Sequence, residues 1–71
     1  MVSKLAVLDA VALTVDLPGQ NLVRGQVGTI VEELETSVFE VEFSDDNGET
    51  YAIAQISADH LIALHYSPVA A

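Results

Sequence analysis

Leu22-Val23-Arg24-Gly25-Gln26-Val27-Gly28-Thr29-Ile30-Val31-Glu32 sets two glycines three residues apart at the head of a β-branched run, directly after a polar loop. Val, Ile and Thr fit the pleated surface of a strand. Glycine inside such a run marks a bulge, a tight bend or a close backbone approach. The stretch therefore reads as the entry into a small, strongly bent β-barrel. It predicts a strand from about Val27 to Leu34. Val27, Ile30, Val31 and Leu34 do not share one parity, so a bend or bulge near Gly28 is expected.

Upstream, Ala10-Val11-Ala12-Leu13-Thr14-Val15 alternates, with Val11, Leu13 and Val15 on one face, and Asp16-Leu17-Pro18-Gly19 ends it. The excursion from Asp16 to Gln26 is too long for a tight hairpin and reads as a folded loop, pinned to the barrel by Leu17, Leu22 and Val23. Residues 1–8 are open between a short helix and an added strand.

Downstream, Glu35-Thr36-Ser37 turns the chain into Val38-Phe39-Glu40-Val41-Glu42-Phe43. Phe39, Val41 and Phe43 fall on one side and Glu40 and Glu42 on the other, the pattern of a strand with one buried and one solvated face. Ser44-Asp45-Asp46-Asn47-Gly48-Glu49 follows as a hairpin loop in which Asn-Gly supplies positive φ. Thr50 to Ile56 returns as a fourth strand. Ser57 then caps one helical turn, and Leu61 to Leu64 closes as a fifth strand. Residues 65–71 read as a frayed tail. No apolar run keeps helical spacing for ten or more residues, so the fold class is all-β, with one barrel domain over residues 9–64.

With 71 residues there is room for one core. Folding must offset about 1.5 kcal/mol of ordering entropy per residue, which commits most of the Val, Ile, Leu and Phe to that core. The absence of cysteine excludes disulfides, thiolate chemistry and Cys-based metal sites, and fits a reducing cytosol. The opening Met1 to Asp9 is too short in its apolar run for a signal peptide. Nothing approaches the roughly 20 apolar residues of a membrane span. A cytoplasmic location is expected.

Eleven Asp and Glu stand against Lys4 and Arg24, a formal charge of -9. Polyanions are bound by Lys and Arg that displace counterions, so nucleic acid and anionic membranes are disfavoured as partners. A basic protein would be steered toward this surface, although high charge also keeps a small protein soluble.

Five short strands, a long loop after the first, an Asn-Gly hairpin between the third and fourth, and one helical turn before the last resemble the SH3-like barrel order. The runs Asp9-Ala10-Val11-Ala12-Leu13, Asp16-Leu17-Pro18, Gly25-Gln26-Val27-Gly28-Thr29-Ile30-Val31-Glu32, Phe39-Glu40-Val41-Glu42-Phe43 and Gly48-Glu49-Thr50-Tyr51-Ala52, with Leu22 between the second and third, are similar to those of a family of small bacterial proteins. That family is known only as a domain of unknown function, number 4926, and the resemblance spans about residues 6–64. It implies an SH3-like fold. Members look like companions of a second small protein encoded beside them, which implies a toxin–antitoxin or immunity-like pairing.

Catalytic parts are scarce. His60 and His65 flank a turn-to-strand boundary and read as ordinary histidines. Glu40 and Glu42 share a strand face, with Glu32 or Glu33 across from them. Such a cluster suits a cation or acid–base work, but a solvated sheet face gives the same pattern. In the acidic hairpin, setting Gly48 at the sixth position of a calcium loop puts Phe43 first and Ala54 twelfth, where carboxylates are needed. Gly25 and Gly28 lack the lysine and helix of a P-loop and the third glycine of a dinucleotide loop. Arg24 is expected to pair with a neighbouring acid. With Phe39 and Phe43 needed inside and no tryptophan, Tyr51 and Tyr66 do not make an aromatic peptide groove.

The expected function is a non-enzymatic acidic module, without metal or cofactor, that binds one basic protein partner. Its contact surface is expected to draw on Asp16, Leu22, Arg24, Glu32, Glu33, Glu40, Glu42 and Tyr51. The rival readings are a self-assembling barrel subunit that pairs through an exposed strand edge or through the apolar ends as a homo-oligomer, and a small metal-binding protein.

Overall fold

A computed structural model describes residues 5–65. Five strands, β1 (Ala10–Leu13), β2 (Val27–Glu35), β3 (Val38–Ser44), β4 (Thr50–Ser57) and β5 (Leu61–Ala63), form one antiparallel sheet in the order β4-β3-β2-β1-β5. A 3-10 turn at Ala58–His60 precedes the last strand, and a second one, not anticipated in the sequence, sits in the long loop at Pro18–Gln20. Among the described residues no helix is long and apolar enough to cross a membrane.

The alternation of β3 explains the core. Phe39, Val41 and Phe43 are buried, and each faces an inward neighbour on β4: Ile56, Ala54 and Ala52. Val11 and Leu13 of β1, Ile30 of β2 and Leu61 of β5 join the same cluster. Residues of both outermost strands thus share one core, so the sheet is curled with its two edges folded over a common interior. Each large apolar side chain withdrawn there contributes about 1.5–3 kcal/mol.

Gly28 keeps regular pairing, between Val11 on one side and Phe43 on the other. The break expected there lies further on, where the β2–β3 register shifts between Ile30 and Glu32 and again between Glu33 and Glu35. One extra residue reverses the parity of the strand. That is why Ile30 faces the core while Val31 is exposed and Glu32 continues the outer row. Gly28 is instead a close approach: a Cβ there would meet Val41 Cγ1 at 2.7 Å and the Glu42 carbonyl oxygen at 2.8 Å.

The remaining boundaries differ for local reasons. β1 stops at Leu13, because the Thr14 N–H donates to His60 O at 3.0 Å and the chain bends away, leaving Val15 half-buried. β5 ends at Ala63, although the Leu64 N–H still donates to Ala10 O at 2.9 Å. β2 extends to Glu35. Residues 5–8 are neither helix nor strand: Ala6 to Asp9 form a turn closed by Asp9 N–H on Ala6 O and Ala6 N–H on Asp9 Oδ2, with Leu8 at φ +80°. Ser57 caps its 3-10 turn as its sequence position suggests, accepting the Asp59 N–H. Residues 1–4 and 66–71, which include part of the expected frayed tail, lie outside the described residues.

Candidate interaction surface

The outer face of the sheet is built from cross-strand rows, since residues opposite each other in an antiparallel pair project to the same side. One row runs Glu32, Glu40, Gln55, and the next runs Thr29, Glu42, Ile53. Glu32 and Glu40 are thus direct neighbours of like charge. Glu42 accepts a hydrogen bond from Thr50 Oγ1 at 2.6 Å. Glu33 is exposed but registers with the buried Phe39, which sets it apart from this row.

The long loop is held by its own backbone. Leu17 and Leu22 exchange N–H···O hydrogen bonds at 2.8 and 3.2 Å, and Leu22 is 1% exposed. Leu22 is therefore a core anchor and not a contact residue, a correction to the sequence reading. Asp16 Oδ1 accepts the Arg24 backbone N–H at 2.8 Å, so an acid does pair with Arg24, but through its main chain. Gln26 Oε1 accepts the Val23 N–H at 2.7 Å while its Nε2 donates to Tyr51 Oη at 3.1 Å. One amide side chain thereby ties the loop to the start of β4. Tyr51 also lies 6.4 Å from the Phe43 ring, tilted by 41°.

The acidic hairpin at 45–49 is accounted for by its turn. Asp45 Oδ1 accepts the N–H groups of Asn47 and Glu49, Gly48 N–H donates to Asp45 O, and Gly48 takes φ +82°. The hairpin loop expected here is present, closed by Asp45 N–H on Glu49 O around three residues, and its positive φ is supplied by Gly48 and not by Asn47. Among the described residues no three of His, Cys, Asp and Glu are placed to hold a metal ion. The apolar groove of about 200 Å³ beside β5 is lined by Leu5, Ala58, Leu61, Ile62 and Ala63, none of which can donate, accept or attack through its side chain. His60 is half-buried above that strand and His65 is exposed.

The structure thus brings Glu32, Glu40 and Glu42 together, joins Tyr51 to the loop, and separates Glu33, Leu22 and the Asp16–Arg24 pair from that row. Residues missing from the sequence reading are Ile53 and Gln55. The apolar alternation Ala52, Ala54, Ile56 carried the signal, because it turns Ile53 and Gln55 outward.

A family model, Domain of unknown function (DUF4926), matches residues 7–63. This chain belongs to the DUF4926 family. The match begins at the Ala6 to Asp9 turn and ends with β5, so the DUF4926 unit coincides with the five-stranded sheet. Neither a curated protein nor a solved structure matches the chain.

Proposed function

We propose that this DUF4926 chain is a non-enzymatic acidic module that binds one basic protein partner, and that the partner is encoded beside it in an antitoxin- or immunity-like pairing. The observation that carries this reading is the juxtaposition of Glu32 and Glu40 beside Glu42 on a solvated face. Like charges set directly opposite each other oppose the fold. With two Lys or Arg against eleven acids, the chain has few cations of its own to offset them. A partner's Lys or Arg would remove that repulsion on binding, and the field of a -9 chain would speed the encounter.

The test is kinetic. The tagged protein is used to capture its partner from its own cells, with the product of the neighbouring reading frame examined first. Association is then measured for Glu40→Lys and Glu42→Lys at several salt concentrations. Slower association with a shallower salt dependence supports the proposal. On-rates that do not change exclude this surface.

A further inference from the structure

Among the described residues strand β4 is an outermost strand of the sheet, and half of its N–H and C=O groups have no neighbouring strand there to pair with. Natural sheets blunt such edges with charge, proline, bulges or brevity. The other edge, β5, is three residues long. β4 has eight, Thr50-Tyr51-Ala52-Ile53-Ala54-Gln55-Ile56-Ser57, with no proline and no charge, in a chain where Asp and Glu occupy eleven positions. Its one register shift lies at the start, between Phe43 and Ser44 on the partner strand, so pairing along Ala52 to Ser57 is regular. Ile53 is 58% exposed on it.

We propose that this edge takes up an extended, basic segment of a partner protein as a sixth strand. The segment would place an apolar residue beside Ile53 and a Lys or Arg two positions away, beside Gln55. The main chain would supply pairing and the side chains would supply choice. From that position Glu40 is two strand spacings away, about 10 Å, a gap closed by a long basic side chain and the glutamate reaching from opposite ends. Charge complementarity selects this occupant over a second copy, which would bring another -9 to an edge flanked by Glu40 and Glu42. The inference rests on the basic-partner reading and adds to it the mode of docking.

The probe is a blocked synthetic heptapeptide, acetyl-Thr-Lys-Thr-Ile-Thr-Lys-Thr-amide, titrated into isotope-labelled protein and followed by amide chemical shifts. The largest shifts are expected along Tyr51 to Ser57. Glu40→Lys should weaken binding about fivefold, and Ile53→Lys, at an exposed position, should weaken it further with the spectrum still folded. N-methylation of alternate peptide amides should abolish binding in one phase and spare it in the other, because only one set of amides faces β4. Equal binding by both N-methylated phases, shifts centred on residues 16–26, or no binding at millimolar peptide would each overturn the added strand. So would concentration-dependent β4 shifts without peptide, which would assign the edge to a second copy. These outcomes leave the basic-partner reading to its own test, the salt-dependent on-rate of Glu40→Lys and Glu42→Lys toward the captured protein.

Discussion

Gln26 Nε2 donates to the hydroxyl of Tyr51 at 3.1 Å, joining residues that lie 25 positions apart in sequence. The bond is solvent-exposed, so its net worth is about 0.5–1 kcal/mol. Gln26→Ala and Tyr51→Phe should each lower stability by about that amount. In a double-mutant cycle the two losses should not add. Urea unfolding of the four proteins measures the coupling, and additive losses would show that the contact does not hold the loop.

Gly28→Ala should be far more damaging. Its methyl group would stand 2.7 Å from Val41 Cγ1, 3.0 Å from Phe43 Cδ2 and 2.8 Å from a backbone oxygen of Glu42. A side chain can rotate away, whereas the carbonyl belongs to the β3 ladder. The expected loss is about 2–3 kcal/mol, a large share of what a domain of this size possesses. A urea midpoint close to wild type would refute the close-approach assignment.

Leu8 offers the opposite sign. It is 79% exposed, with φ +80°, a conformation that costs an L residue about 1–2 kcal/mol. Little packing is lost when the side chain is removed. Leu8→Gly and Leu8→Asn should therefore raise stability by about 0.5–1 kcal/mol after the extra freedom of the unfolded chain is counted. Calorimetry should show a higher Tm for both.

Glu32 and Glu40 should reveal their repulsion through salt. Either one changed to Gln should stabilise the fold by about 0.2–1 kcal/mol at low ionic strength. The gain should shrink as salt screens the pair. Changing both should gain less than the sum. Denaturation at low and high sodium chloride provides the comparison.

Leu22→Ala tests whether the long loop belongs to the core. A buried leucine truncated to alanine costs about 2–5 kcal/mol. Loss of cooperative unfolding, or a midpoint lowered by that much, is expected. A mild effect would mean that the loop folds independently of the sheet.

Period-two alternation made β3 legible, and with it the shared face of Glu40 and Glu42, because one apolar set of Phe39, Val41 and Phe43 permits a single register. Gly28 was legible as a special position, though not as the site of the break. The shift beside Val31 was hidden because a bulge changes which residues face inward without changing their composition. That same shift decides that Glu32, and not Glu33, stands across from Glu40. Leu22 was legible as a residue that pins the long loop, though not as one withdrawn from the contact surface, and Val23, expected to pin it too, is 56% exposed. The burial of Leu22 depends on Leu17 closing a small antiparallel bridge around the 3-10 turn, a contact that no strand pattern announces.

The pairing of Val11 with Ala63 has a consequence for how the molecule is made. β2, β3 and β4 are joined by short turns and can assemble from contacts close in sequence, whereas β1 must wait for β5 to flank its second side. Loop closure over that distance is the slow step in small β proteins. Until residues 61–63 pair with it, β1 is supported on one side only, by β2. β5 adds to β1 on the opposite edge of the sheet from β4, so the uncharged β4 edge is as open to an extended partner segment before this late step as after it.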